Sequence, residues 1–194
     1  MSSHLEITKT PPRSIAALTA FRDRATFLAA LQSECGLPPP TVPGFVRAGN
    51  LTLSCLAPGR YFATAERDAM LPARFAKPLA SLAAITDQSD LWYTLTLTGP
   101  NATMALARLV PINLAPTAFP VGALALTRAG HLDVRLWHVG DDTYEVSTAR
   151  SYASDLEHAF QSMFFSEEKN QKTFTSPPAD GYRPWPDNDV QAQT

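Results

Sequence analysis

The chain has 194 residues, 45% of them apolar and 18% charged, with a net charge of −2. That is enough for one domain of ordinary size or two small, closely joined ones, burying on the order of 70% of the unfolded surface without a disulfide or metal staple. The charge balance argues against a sequence-independent phosphate binder, which carries a basic excess. No apolar run approaches the roughly 20 residues of a membrane span, so neither nucleic acid nor membrane is expected as a partner.

The charge is unevenly placed: 13–135 holds eleven basic and seven acidic residues, and 136–194 four basic and ten acidic. The N-terminus shows no basic start followed by an apolar segment, so the cytoplasm is the expected location. Cys35 and Cys55 have neither partners at zinc-binding spacing nor the number a disulfide framework needs, and are expected as small buried thiols.

In chain order, residues 1–12 end in Pro11-Pro12, lack periodicity and read as an arm. A strand from Arg13 to Phe21 is expected to lead into a helix capped by Asp23. There Phe27, Leu28, Leu31 and Cys35 follow helical spacing, and Gly36 with Pro38-Pro39-Pro40 stops it. Leu51, Leu53 and Cys55 alternate with Thr52 and Ser54, Pro58-Gly59 supplies a turn, and Tyr61, Ala63 and Ala65 return as a second strand. Phe75, Leu79 and Leu82 have helical spacing, but Pro78 among them removes a backbone hydrogen bond, which predicts a short or broken helix.

The alternation over 91–98 is the clearest strand signal, with Leu91, Tyr93, Leu95 and Leu97 on a core face and Trp92, Thr94, Thr96 and Thr98 opposite. Pro100 is placed to start a helix with Ala102, Ala105 and Leu109 on its apolar side, ended by Pro111. Strands over 121–128, 131–139 and 143–148, joined at Ala129-Gly130 and Gly140-Asp141-Asp142, form a meander. Ser151 is placed to cap a final helix with Tyr152, Leu156, Ala159, Phe160, Met163 and Phe164 as its apolar stripe. Residues 166–194 hold four prolines and little aliphatic content, which predicts an extended tail whose rings, Phe174, Tyr182 and Trp185, suit docking on a partner.

These elements predict an α+β fold of largely antiparallel sheets covered by helices. The expected organisation is an arm over 1–12, one domain over 13–165 built of two halves of similar element order (about 13–84 and 85–165), and the tail. Motifs for nicotinamide, flavin, nucleotide phosphate, zinc hydrolysis or a serine nucleophile are absent. The polar cluster on regular structure is His131, Asp133 and Arg135, which project from one face of a strand. A histidine beside a carboxylate suits acid/base chemistry or metal binding, whereas the plainer reading is a solvated or interface face. His138 and His158 lie on other faces.

Several segments, in order and spacing, resemble the gamma subunit of heterotetrameric sarcosine oxidase. They are Leu56-Ala57-Pro58-Gly59-Arg60-Tyr61, Asp87-Gln88-Ser89, Leu97-Thr98-Gly99-Pro100, Pro111-Ile112-Asn113-Leu114, Phe119-Pro120, Gly130-His131-Leu132-Asp133-Val134, Leu136-Trp137 and Arg150-Ser151-Tyr152-Ala153. The resemblance runs from about Leu51 to Phe164. Val110, Asn113 and Ala115 depart from the cysteine, aspartate and histidine of the family pattern.

The resemblance implies the fold of the glycine-cleavage aminomethyltransferase, whose corresponding strand carries two adjacent aspartates. Here Asp133 is followed by Val134, which leaves Asp133 a weak catalytic candidate. It further implies no cofactor on this chain, with FAD, FMN, NAD and tetrahydrofolate held by partner subunits. Those partners are the large alpha flavoprotein subunit and, through it, beta and delta. The implied role is a non-catalytic gamma-type subunit that supports assembly and stability of a complex demethylating sarcosine to glycine with one-carbon transfer to tetrahydrofolate. The alternatives are a gamma-type subunit of a related dehydrogenase such as N-methylglutamate dehydrogenase, or a stand-alone folate-dependent one-carbon enzyme. His131, Asp133, Arg135, Phe174, Tyr182 and Trp185 are the expected interface residues.

Overall fold

The computed structural model describes residues 5–66, 68 and 70–170, the last helix from 163 onward by its backbone alone. The first part of the chain forms β1 (Glu6–Lys9), β2 (Arg13–Ala20), α1 (Arg24–Cys35), β3 (Gly44–Ala48), β4 (Leu51–Ala57), β5 (Arg60–Glu66), α2 (Leu71–Ala76) and β6 (Ala83–Asp87). The second part forms β7 (Trp92–Thr98), α3 (Ala102–Ala107), β8 (Leu124–Ala129), β9 (Leu132–Gly140), β10 (Thr143–Ala149), a 3₁₀ turn at Arg150–Tyr152 and α4 (Ala153–Asn170). Two five-stranded sheets result, β3-β4-β5-β2-β6 and β1-β7-β10-β9-β8, and their strand pairs are antiparallel.

Each sheet buries one face under its own helices. Phe27 and Leu31 of α1 and Leu71 and Phe75 of α2 pack on Leu18, Leu53, Tyr61 and Ala63 of the first sheet. Ala102 and Leu106 of α3 and Leu156 and Phe160 of α4 pack on Leu95, Leu97, Leu136 and Val146 of the second. The Tyr93 hydroxyl donates to Glu157 and ties α4 to β7. The remaining faces turn toward each other, and only a small apolar cluster of Ala17, Leu56, Phe62 and Leu124, flanked by Ile15, Trp92 and Trp137, lies between them. The order of layers is therefore helices, sheet, sheet, helices.

Along one edge the sheets are stitched together: the Phe45 N–H donates to the Gly122 carbonyl at 2.9 Å, and Gly44 bridges to Ala123. A Cβ on Gly44 would stand 3.0 Å from the Gly122 oxygen, so the backbones approach this closely only because Gly44 has no side chain.

Local signals explain the elements that sequence analysis located. Asp23 accepts from the Thr26 N–H at 3.0 Å, and Gly36 closes α1 in the left-handed region at φ 71°. Alternation along β7 buries Tyr93, Leu95 and Leu97, and α2 is short, as Pro78 implied. The meander is β8, β9 and β10.

Other expectations are corrected. The arm over 1–12 contains β1, which pairs Ile7 with Leu97 and thereby joins the second sheet. Strands β3 and β6 are additional elements on the outer edges of the first sheet, and β6 carries the first sheet to Asp87, past the expected break at 84. Leu91 lies just before β7 and is exposed rather than core. Pro100 precedes α3, whose buried side is Ala102 and Leu106, with Ala105 and Leu109 half-buried. Ser151 sits inside the 3₁₀ turn that feeds α4 rather than capping it. Helix α4 continues to Asn170, beyond the expected end at 165, across Glu167, Glu168 and Lys169, which are good helix formers.

Candidate functional site

Between the two sheets, where their polar and aromatic faces meet, lies a cleft bordered by an ion pair that joins them. Arg13 of β2 donates through both terminal nitrogens to the two carboxylate oxygens of Glu145 on β10, each at 2.7 Å. Glu145 raises the Arg13 pKa, chiefly through this hydrogen bond and against the opposing pull of burial. Trp137 Nε1 donates to Ser54 Oγ at 3.4 Å, and the Thr10 and Thr96 hydroxyls share a hydrogen bond of 2.7 Å. The cleft, lined by Thr10, Arg13, Ser54, Trp137 and Glu145 together with Phe45, Phe62 and Trp92, has a volume of about 100 Å³.

Beside the cleft, Arg135 of β9 is wedged against aromatic rings of both sheets. Its guanidinium carbon stands 3.3 Å from the Trp92 ring centre and 4.9 Å from that of Phe62. Among the described residues, its Nε is a buried polar atom without a hydrogen-bond partner. Burial, reinforced by the like charge of Arg60, lowers the Arg135 pKa to about 10.

The predicted trio is thus divided. His131, Asp133 and Arg135 do project to one side, but exposure falls along the strand. His131 sits exposed in the turn before β9, and the Asp133 side chain is 91% exposed, 3.2 Å from Arg128. Asp133 therefore pairs with an arginine at the surface rather than with histidine, and no acid/base dyad forms. His138 is buried on the helix-covered face, stacked between Phe119 and Tyr144, with Nδ1 2.8 Å from the Phe119 carbonyl. His158 is exposed on α4, Cys55 is buried and Cys35 half-buried, both thiols free. Among the described residues no three His, Cys, Asp or Glu groups gather as metal ligands, and no helix is long and apolar enough to cross a membrane. Phe174, Tyr182 and Trp185 lie outside the described residues.

Sequence reasoning missed the Arg13–Glu145 pair, which joins residues 132 positions apart. No local signal marked it, because Glu145 lies on the face of β10 opposite Tyr144 and Val146, where a half-buried strand ordinarily carries polar residues.

No family model matches the sequence, and no curated protein matches it. Among solved structures, a chain of the heterotetrameric sarcosine oxidase from Corynebacterium sp. U-96, in complex with pyrrole 2-carboxylate, has a TM-score of 0.75 at 20% identity, over 89% of this chain and 88% of that one. The glycine cleavage system aminomethyltransferase T from Bartonella henselae has a TM-score of 0.63 at 15% identity, over 81% of this chain but 45% of that one. The fold is aminomethyltransferase-like. This chain covers less than half the length of the aminomethyltransferase, whereas nearly equal shares make it similar in length to the matched sarcosine oxidase chain.

Tetrahydrofolate, the ligand that the resemblance connects with an aminomethyltransferase-like fold, does not fit the cleft between the sheets. Its volume of about 100 Å³ is well below the ~300–1,000 Å³ of small-molecule sites. The carboxylate lining it, Glu145, is held through both oxygens by Arg13, so a pterin ring would have to compete with a guanidinium already seated there. Asp133, the other acidic candidate, points to solvent.

Proposed function

We propose that the chain is a non-catalytic, gamma-type subunit of a heterotetrameric sarcosine oxidase, acting in assembly and stability of the complex rather than in its chemistry. The observation that carries this reading is the end-to-end likeness to one chain of such a heterotetramer, of similar length and with neither chain much overhanging the other. The carboxylates at and beside the cleft are already paired with arginines, Glu145 with Arg13 and Asp133 with Arg128, which supports the non-catalytic part. In this reading the flavins, the nicotinamide and tetrahydrofolate are held by other subunits, and the contact runs to the large flavoprotein subunit. Phe174, Tyr182 and Trp185 would serve as aromatic anchors there, as such side chains commonly do in interfaces.

The test is co-expression with the large flavoprotein subunit of a heterotetrameric sarcosine oxidase. The expected result is a stable complex that oxidises sarcosine, while the chain purified by itself is colourless and inactive. Peroxide production or folate turnover by the isolated chain would favour the stand-alone enzyme instead, and faster oxidation of N-methylglutamate than of sarcosine by the complex would favour the related dehydrogenase.

A further inference from the structure

Arg135 borders a second concavity, a groove of about 390 Å³ over β8 and β9, lined by Trp92, Leu126, Arg128, Asp133 and Arg135. Its charge is unbalanced. The one carboxylate on the groove wall, Asp133, is turned to Arg128, and Arg60 adds a further positive charge from the facing sheet. The Arg135 guanidinium carbon lies 3.3 Å from the Trp92 ring centre, and its Nε is buried without a hydrogen-bond partner among the described residues, so this cation gains no hydrogen bond there to offset its burial. On the rim Leu126 is 54% exposed, although it lies in mid-strand beside this arginine. Arginine and tryptophan are the side chains enriched among interface hot spots, and an exposed apolar neighbour adds contact area beside them. Sites for free small molecules are usually deeper and more enclosing than this open groove.

We propose that this groove docks a carboxylate-bearing segment of the large partner subunit, with Arg135 receiving the aspartate or glutamate and Leu126 and Trp92 receiving an adjacent apolar side chain. The inference rests on the assembly reading above and adds to it the place and the chemistry of the contact. Preformed stacking fixes the guanidinium, so little side-chain freedom is lost on docking. Arg60 and Arg128 speed and orient the encounter without being buried in it.

The test uses the full chain and the co-expressed large subunit, with affinity measured by titration calorimetry. Arg135→Gln and Leu126→Asp should each weaken association by tenfold or more, whereas Met70→Asp, at a residue 68% exposed elsewhere on the surface, should leave it within about twofold. If Arg135→Gln fails to fold, Leu126→Asp decides the matter, because its side chain is outside the core. Wild-type affinity in a folded Arg135→Gln, or in Leu126→Asp, overturns the docking. So does a homodimer of this chain that Leu126→Asp dissolves while the complex still forms, which would assign the groove to a second copy. Failure of the wild-type chain to bind any such subunit is a different result: it overturns the assembly reading and the docking with it.

Discussion

Separating Arg13 from Glu145 should destabilise the molecule unequally, depending on which partner is removed. The Glu145 side chain is 11% exposed and that of Arg13 33%. Arg13→Met leaves a carboxylate between the sheets without its cation, and the expected cost is about 3 kcal/mol, the low end of the ~3–5 kcal/mol for breaking a buried pair, because water reaches a third of the arginine. Glu145→Gln keeps an acceptor oxygen for the guanidinium and leaves a partly hydrated cation, so about 1–2 kcal/mol is expected. At about 2–4 °C per kcal/mol for a domain of this size, the arginine variant should melt roughly 6–12 °C below wild type and the glutamine variant roughly 2–8 °C below. Urea denaturation at neutral pH measures both, and the double variant Arg13→Met/Glu145→Gln should lose less than the sum of the singles, with a coupling of about 1–3 kcal/mol. Equal losses in the two singles, or strict additivity in the double, would refute the claim that Glu145 is the desolvated member of a coupled pair.

Leu97, fully buried against α3 and α4, should cost about 2–5 kcal/mol as Leu97→Ala, while Thr96→Ala, which loses one hydroxyl contact with Thr10, should cost about 1 kcal/mol; similar melts for the two would mean that the facing of β7 is wrong. Asp133→Asn should alter stability by less than about 1 kcal/mol, since both side chains of its ion pair are largely exposed. In the assembled complex it should leave turnover within a few-fold, against the ~10²–10⁴-fold loss expected of a catalytic acid or base. Burial lifts the Cys35 thiol from 9.0 to about 11. The unfolded chain therefore ionises there first, so the stability linked to this thiol is complete below pH 9.0 and is lost as pH rises toward about 11. Cys35→Ala should flatten the decline in urea midpoint over that range, and an unchanged slope would show that other groups cause it.

Elements whose information is local were legible in the sequence. Helix α1 carries its own start and stop in Asp23 and Gly36, β7 alternates over its whole length, and the turns at Pro58-Gly59 and Gly130 define two hairpins. In these cases the side-chain period and the turn chemistry act within a few residues, so no knowledge of the rest of the chain is needed. The α+β class followed from them. Strands β1, β3 and β6 did not, because each is a short edge or near-edge segment held by backbone pairing to a neighbour that supplies most of the pattern.

The site divides in the same way. Alternation placed His131, Asp133 and Arg135 on one side of β9, which is a local property. It did not tell that the facing sheet covers only the later part of that side, so that Asp133 meets water while Arg135 meets Phe62 and Trp92. Nor does any local rule join Arg13 to Glu145, 132 positions apart on different sheets. The sequence by itself determined the period of each strand, the faces those strands present and the capped helices, because hydrogen bonding and side-chain spacing act at short range. Only the tertiary structure decided which face is covered, which charge finds a partner and which stays bare, because desolvation and ion pairing depend on whatever distant segment the fold lays against them.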